Sequence, residues 1–173
     1  NLECWLERVK DWDLNRKNTV LGGCALGHAV YMGANKLETV KVLLDADASM
    51  NYRTFAGGSI LTNTVSNEDS NPNVVRLVLE KLKDSYSAKD LTSIVNYKRK
   101  STTLKWKGIY YVAKVLYRTG ASKGGLMKFL AIESGTSALN LAVARGDVEI
   151  VKILLEYGAD PYVENDLGMN AFE

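Results

Sequence analysis

The sequence has few of the residues that most often bind metal ions or take part in catalysis. Its 173 residues include one histidine, His28, and two cysteines, Cys4 and Cys24. A single histidine and the lack of a Cys-x-x-Cys spacing exclude the common zinc sites. The chain also lacks the Gly-x-Ser-x-Gly nucleophile motif, the Walker phosphate-binding motif and Gly-x-Gly-x-x-Gly. We therefore expect no catalytic residue, no metal site and no cofactor, and we do not expect an enzyme.

Strong net charge and long apolar runs are also missing. The net charge is +2, which is too small to indicate nucleic acid as a partner by itself. No apolar run reaches the length of about 18 residues that a membrane span needs, and no signal peptide is visible. A disulfide between Cys4 and Cys24 stays open, but reduced thiols are the simpler interpretation. We expect an intracellular protein, in the cytoplasm rather than the nucleus.

What the sequence does contain is a repeated pattern. Its clearest copy opens at Gly135–Ala142 with the letters GTSALNLA and closes at Gly158–Asp160. The pattern restarts at Gly168, which lies 33 residues after Gly135. Similar openings occur at Gly22 and Gly57, which are 35 residues apart. A period of this length is typical of helical repeat proteins that stack into a solenoid.

The pattern resembles the ankyrin repeat almost position for position. Ser137, Ala138 and Asn140 stand where the family has threonine, proline and histidine. The resemblance implies one all-α domain, an ankyrin-repeat solenoid of antiparallel helix pairs with projecting finger loops before each repeat. The predicted division is a partial repeat at 1–21, repeats at 22–56, 57–95, 96–134 and 135–167, and the start of another at 168–173. We expect the chain to be a fragment of a longer protein.

The third of these repeats is degenerate, and two registers fit it. In the first, Thr102 to Leu104 open an inner helix that is about three residues short, and Val112 to Arg118 form the outer helix. In the second, Ala88 to Asn96 form the inner helix behind a Ser87 N-cap, and Thr102 to Arg118 form one long outer helix. We favour the first register, because Val112–Ser122 matches the outer helix and exit of the clearest repeat without a gap.

The resemblance also implies a function. Proteins of this family bind other proteins with the finger loops and with the concave groove that the inner helices line. We therefore expect a scaffold that binds a partner protein, or else a regulatory or targeting segment of a larger enzyme or ion channel. The contact positions flank each repeat glycine or follow it by nine or ten residues. Those predicted are Val20, Leu21, Tyr31, Met32, Phe55, Ser66, Asn67, Lys98, Arg99, Ala144, Arg145, Asp166 and Leu167.

Two further stretches are candidates for a surface. Lys98 to Lys107 is basic, with Tyr97 and Trp106 interleaved. We interpret it as a solvated finger loop; an acidic protein partner is the next interpretation, and nucleic acid or acidic lipid is not favoured. The insertion at 123–132 is too apolar for an idle loop. Its residues Leu126, Met127, Phe129, Leu130 and Ile132 are expected to cover the short inner helix, or else to contact a partner or a second copy of the chain.

Overall fold

The computed structural model describes residues 13–32, 36–67, 69–121 and 125–172, and within these ranges the regular structure is helical, without a strand. This confirms the predicted all-α class. The helices in chain order are α1 Ala25–Met32, α2 Lys36–Asp45, α3 Ile60–Val65, α4 Pro72–Ser85, α5 Ala88–Val95, α6 Leu104–Arg118, α7 Gly125–Glu133, α8 Ala138–Arg145 and α9 Val148–Glu156.

Three helix pairs form a stack with two layers. The inner helices α1, α3 and α8 pack one on the next, and the outer helices α2, α4 and α9 do the same. Each inner helix also packs on the outer helix that follows it, namely α1 on α2, α3 on α4 and α8 on α9. Leu61, Leu79, Leu139 and Leu154 are buried between these layers. A single pair could not bury both of its apolar faces, so the stability of each pair depends on its neighbours.

Local capping determines where the inner helices begin. Ser59 accepts a hydrogen bond from the Thr62 N–H at the start of α3, and Ser137 accepts one from Asn140 at the start of α8. Two residues before Ser59, Gly57 has a φ of +92°, and a Cβ placed on it would lie 2.4 Å from the carbonyl carbon of Lys100. A side chain here would be strained and would push the neighbouring loop away. The repeat glycine is thus required by the close approach of two loops.

The favoured register of the degenerate region was wrong. Ser87 caps a helix at Ala88–Val95 through the Asp90 N–H, and Leu104–Arg118 is one continuous helix capped by Thr103. Both helices agree with the alternative register. The error has a physical cause, because nothing between Leu104 and Val112 breaks a helix except Gly108, and an isolated glycine is tolerated there. Neither register anticipated the packing, in which α6 pairs with α7 and α8 lies directly on α3.

Two hydrogen bonds between neighbouring loops show which residues are additional to the repeat. The Ser49 N–H donates to the Asn15 side chain over 2.8 Å, and the Asp160 N–H donates to the Asn96 side chain over 2.7 Å. The first pair is separated by 34 residues and the second by 64. The longer separation of the second pair is due to α6 and α7, which we call the inserted helix pair. The division of the chain into repeats stays a prediction, and this packing suggests one repeat whose finger loop carries the insertion.

We expect a substitution in the outer layer to show whether α9 is stacked on α4. Leu154→Ala removes a fully buried side chain where α9 packs on α4, so it should lower the free energy of unfolding by about 2–5 kcal/mol. Leu155→Ala is the matched control, since this neighbouring leucine is exposed, and should change it by about 0.5 kcal/mol or less. Urea denaturation followed by circular dichroism measures both. Equal effects of the two changes would contradict the stacking of α9 on α4.

Candidate functional site

A cavity of about 250 Å³ lies where the inserted helix pair meets the concave side of the stack. The stack contributes side chains from α1 and from the first two finger loops, and the insertion contributes side chains from both of its helices. The apolar lining residues are Leu21, Tyr31, Met32, Ala56, Trp106, Tyr110, Phe129 and Leu130. The insertion thus converts one end of an open groove into a pocket with walls on two sides.

The mouth of this cavity is apolar and open to solvent. Met32 and Phe129 are each more than half exposed, and Leu21 and Tyr31 are also exposed. They come from opposite walls, since Met32 ends α1 and Phe129 lies on α7. Contiguous exposed apolar groups that are rimmed by polar residues are typical of interaction sites.

A buried ion pair lies at the floor of the cavity. Arg99 Nη1 is 2.5 Å from Glu133 Oε1, and the two side chains are only 6% and 10% exposed. Arg99 Nη2 also donates to the Ser66 hydroxyl over 3.1 Å. Arg99, which the repeat pattern places on a finger loop, is thus buried, and its guanidinium neutralises the carboxylate that ends α7. Its contact with a partner stays a prediction. Burial of both charges makes each dependent on the other.

The backbone of Arg99 closes the base of the insertion. Its N–H donates to the Thr136 carbonyl over 2.9 Å, and its carbonyl accepts from the Gly135 N–H over 3.1 Å. Tyr110 on α6 donates its hydroxyl to the Ala56 carbonyl over 3.2 Å. Burial raises the pKa of the Tyr110 phenol, so the hydroxyl stays protonated and remains a donor at neutral pH. These bonds hold α6 against the finger loop of the preceding repeat.

Asp166 holds α6 at the far end of the groove. Its carboxylate accepts from Ser134 and from Lys114 Nζ, which is 2.9 Å away, and its carbonyl accepts from Arg118. Burial alone would raise the pKa of Asp166, but the hydrogen bonds from Ser134 and Lys114 and the nearby positive charges lower it below its ordinary value. The carboxylate is therefore ionised at neutral pH, and this contribution to stability is lost only as the pH falls through the lowered pKa.

The other predicted contact residues have varied surroundings. Val20, Lys98 and Ala144 are exposed, whereas Phe55 and Leu167 are half-buried. Ser66 and Asn67 make internal hydrogen bonds, the first with Arg99 and the second from its side chain to the Tyr31 carbonyl. Arg145 donates to the Ser66 carbonyl over 2.9 Å and pairs with Asp147. Of the full predicted set, the structure brings Leu21, Tyr31, Met32, Ser66 and Arg99 together around the cavity.

Sequence reasoning did not identify Tyr110, and it treated the apolar insertion only in outline. Residues 125–133 form helix α7, which packs on α6, and Leu126 and Phe129 remain exposed. The expected short inner helix beneath them does not exist; α6 takes its place. Cys24 is buried, and the question of a bond to Cys4 lies outside the described residues. No helix of the described residues is long and apolar enough to cross a membrane.

Comparison with known proteins agrees with the arrangement of the last helix pair. The ankyrin-repeat family model matches residues 134–166, which contain α8 and α9. Over these residues the chain is similar to the ankyrin repeat. Ankyrin repeats generally mediate protein–protein interaction, and ankyrin-repeat proteins are generally not catalysts.

Two relatives are similar to part of this chain. One is the Caenorhabditis elegans ankyrin repeat and KH domain-containing protein mask-1, which is 39% identical over 51 residues, or 30% of this chain and 2% of the relative. The other is a putative ankyrin repeat-containing protein of Treponema pallidum (strain Nichols), which is 37% identical over 60 residues, or 35% of this chain and 18% of the relative. The chain therefore spans a small part of the length of either relative.

We expect the buried ion pair to be sensitive to the loss of one partner. Glu133→Gln leaves the Arg99 cation buried without a counter-charge and should lower the free energy of unfolding by about 3–5 kcal/mol. Replacing both residues, as Arg99→Met with Glu133→Leu, should recover most of that loss, because neither charge then remains. Urea denaturation of the three proteins measures these differences.

The exposed pair Arg76–Glu156 provides the control, with 3.6 Å between its charged atoms. Glu156→Gln should change the free energy of unfolding by about 1 kcal/mol or less, since solvent screens this pair. If Glu133→Gln is no more harmful than Glu156→Gln, the buried pair does not hold the insertion in place.

Proposed function

We propose that this chain binds a partner protein through its concave groove and finger loops, with a large apolar side chain of the partner in the cavity beside the inserted helix pair. The observation that carries the proposal is the open apolar mouth between Met32 and Phe129. Met and aromatic residues are enriched at the centres of protein interfaces. Burying them on binding contributes roughly 25 cal/mol per Å² of apolar area.

The size of the cavity favours a side chain over a bound small molecule. Its volume of about 250 Å³ lies below the range of about 300–1,000 Å³ that is usual for pockets that enclose drug-sized ligands. A partner that inserts one anchor residue would then rest its remaining surface on the groove and the finger loops. Val20 and Lys98 are exposed on those loops and could form the rim of such an interface.

The side chain of His28 is engaged in hydrogen bonds within the fold, which supports a structural role for it. His28 has both ring nitrogens in hydrogen bonds, one to the Cys24 carbonyl over 2.8 Å and one to the Asn18 side chain over 2.9 Å. Asn18 in turn accepts from the N–H groups of the first finger loop, so His28 acts as a support for that loop.

Truncating the mouth of the cavity should weaken partner binding without unfolding the chain. Met32→Ala combined with Phe129→Ala removes two exposed anchors, and we expect the affinity for the partner to fall by about tenfold or more. The matched control is Val148→Ala combined with Leu155→Ala, which removes two exposed apolar side chains from α9 instead. Circular dichroism verifies that both variants are folded.

The measurement is cross-linking in cell lysate followed by affinity capture and quantitative mass spectrometry. A protein that the wild type and the control retain equally, and the mouth variant loses, is the partner of the groove. Equal retention by all three proteins would show that the groove is not the binding surface.

A further inference from the structure

The outer face of α6 carries a second apolar surface, away from the cavity. Leu104 is 85% exposed and Tyr111 is 67% exposed, and Val115 is exposed as well. Together with Gly108 they recur at spacings of four, three and four residues, which places them on one stripe of the helix. We call Leu104, Gly108, Tyr111 and Val115 the outer stripe. A solvent-facing helix face is ordinarily polar, so this stripe needs an explanation.

The opposite face of the same helix already has its partners. Tyr110 and Ala113 are buried, and Trp106 and Tyr110 line the cavity. The apolar character of the outer stripe therefore does not serve the packing of α6 within this chain. At its centre, apart from the neighbouring residues and the backbone of α6 itself, no heavy atom lies within 4 Å of the position that a Gly108 Cβ would occupy. Glycine there leaves a notch into which the side chain or the backbone of a second helix could approach closely.

The surroundings of the outer stripe are strongly basic. Residues 97–132 carry nine of the 22 Lys and Arg of the chain, whereas all 20 Asp and Glu lie elsewhere. Lys105, Lys107 and Arg118 are exposed on α6 itself. Apolar positions at a and d spacing flanked by charges are how two helices select each other, since the flanking charges must be complementary.

We propose that the outer stripe of α6 is a docking site for an acidic amphipathic helix of another protein. The stripe spans 12 residues, from Leu104 to Val115, and its ends lie roughly 16 Å apart along the helix axis, which is enough for three turns of the incoming helix. Apolar residues of that helix would contact Leu104, Tyr111 and Val115 and fill the notch at Gly108. Its acidic residues would face Lys105 and Lys107, which are exposed. This inference does not depend on the groove, because it uses the opposite side of the inserted helix pair.

A helix fits these observations better than a membrane surface does. Tryptophan is enriched on helices that lie at the lipid interface, but Trp106 is half-buried and lines the cavity instead of the stripe. A bilayer also gains nothing from a glycine notch in the middle of a stripe, whereas a packed helix does. The spacing and the notch together favour a partner with a fixed shape.

The probe for the test is a designed three-heptad peptide with leucine at positions a and d and glutamate at e and g, where the glutamates oppose self-pairing. A second peptide with lysine at e and g is its control. Fluorescence anisotropy with the full 173-residue chain measures affinity. We expect the glutamate peptide to bind about tenfold or more tightly than the lysine peptide. Its binding should weaken as salt is added.

Gly108→Leu separates docking from folding. Leucine strengthens an exposed helix relative to glycine, so the denaturation midpoint should rise while the affinity for the glutamate peptide falls by about tenfold. Gly125→Leu is the matched control, since Gly125 also lies in open space on an exposed helix and should leave the affinity unchanged. The variant with Met32→Ala and Phe129→Ala should also bind the peptide normally, which keeps this test separate from that of the groove.

Several results would overturn the proposal. Equal affinity for the two peptides would exclude charge selection, and unchanged binding by Gly108→Leu would exclude the stripe. Sedimentation velocity and vesicle co-pelleting test the other occupants. Self-association that Gly108→Leu abolishes would assign the stripe to a second copy of the chain. Binding to phosphatidylserine vesicles that is lost on Tyr111→Ala with Val115→Ala would assign it to lipid.

Discussion

The ion pair between Arg99 and Glu133 lies where both ends of the insertion return to the stack. Arg99 enters the inserted helix pair and Glu133 ends it, and the Arg99 backbone is bonded to Gly135 and Thr136. A buried ion pair contributes little net stability, because desolvation offsets the attraction between the charges. Its consequence here is geometric. An insertion that is tied at its base can project in only a few directions, and this tie directs α6 and α7 over the groove.

The direction in which the insertion projects determines which residues form the second wall of the cavity. With its base fixed at Arg99, α6 runs from the second finger loop, where Tyr110 contacts Ala56, to the last one, where Lys114 contacts Asp166. The second wall of the cavity, including Phe129, exists only because α7 returns along α6. The stack by itself would present an open groove like that of a regular array.

The sequence predicted the stack well and the insertion poorly. The repeat at 135–160 was readable because its constraints are local, namely the cap at Ser137 and the left-handed glycine Gly158. The left-handed conformation at Asp47, with φ of 59°, is a local feature of the same kind, because aspartate adopts it more readily than most side chains. The insertion obeys no periodic rule, and the decisive contact joins Arg99 to a residue 34 positions away in the sequence. The repeat pattern placed Arg99 on a finger loop. It could not identify Glu133 as the partner of Arg99, because no repeat spacing relates the two residues.

The predicted contact residues also differ in whether the repeat pattern or the insertion determines their surroundings. The repeat pattern alone indicated Tyr31 and Met32, which line the cavity, and their contact with a partner stays a prediction. Asp166 occupies a contact position of the family, yet here it is engaged with Lys114 and Ser134 of this chain. A position that a regular array leaves for its partner is thus used to anchor the insertion. The insertion covers part of the surface that a partner would otherwise contact, and it adds the side chains of Phe129 and Trp106 to the cavity.

The two sides of α6 differ in their contacts within the chain. This difference determines whether binding on one side could affect binding on the other. The inner side is held by the Tyr110 and Asp166 contacts, whereas the outer side is free within the described residues. Two ligands influence each other only through states that each binds differently. If α6 is rigid on the stack, occupation of one side leaves affinity at the other side unchanged. Coupling would require α6 to move, and the bonds to Ala56 and Asp166 are the contacts that such a movement must break.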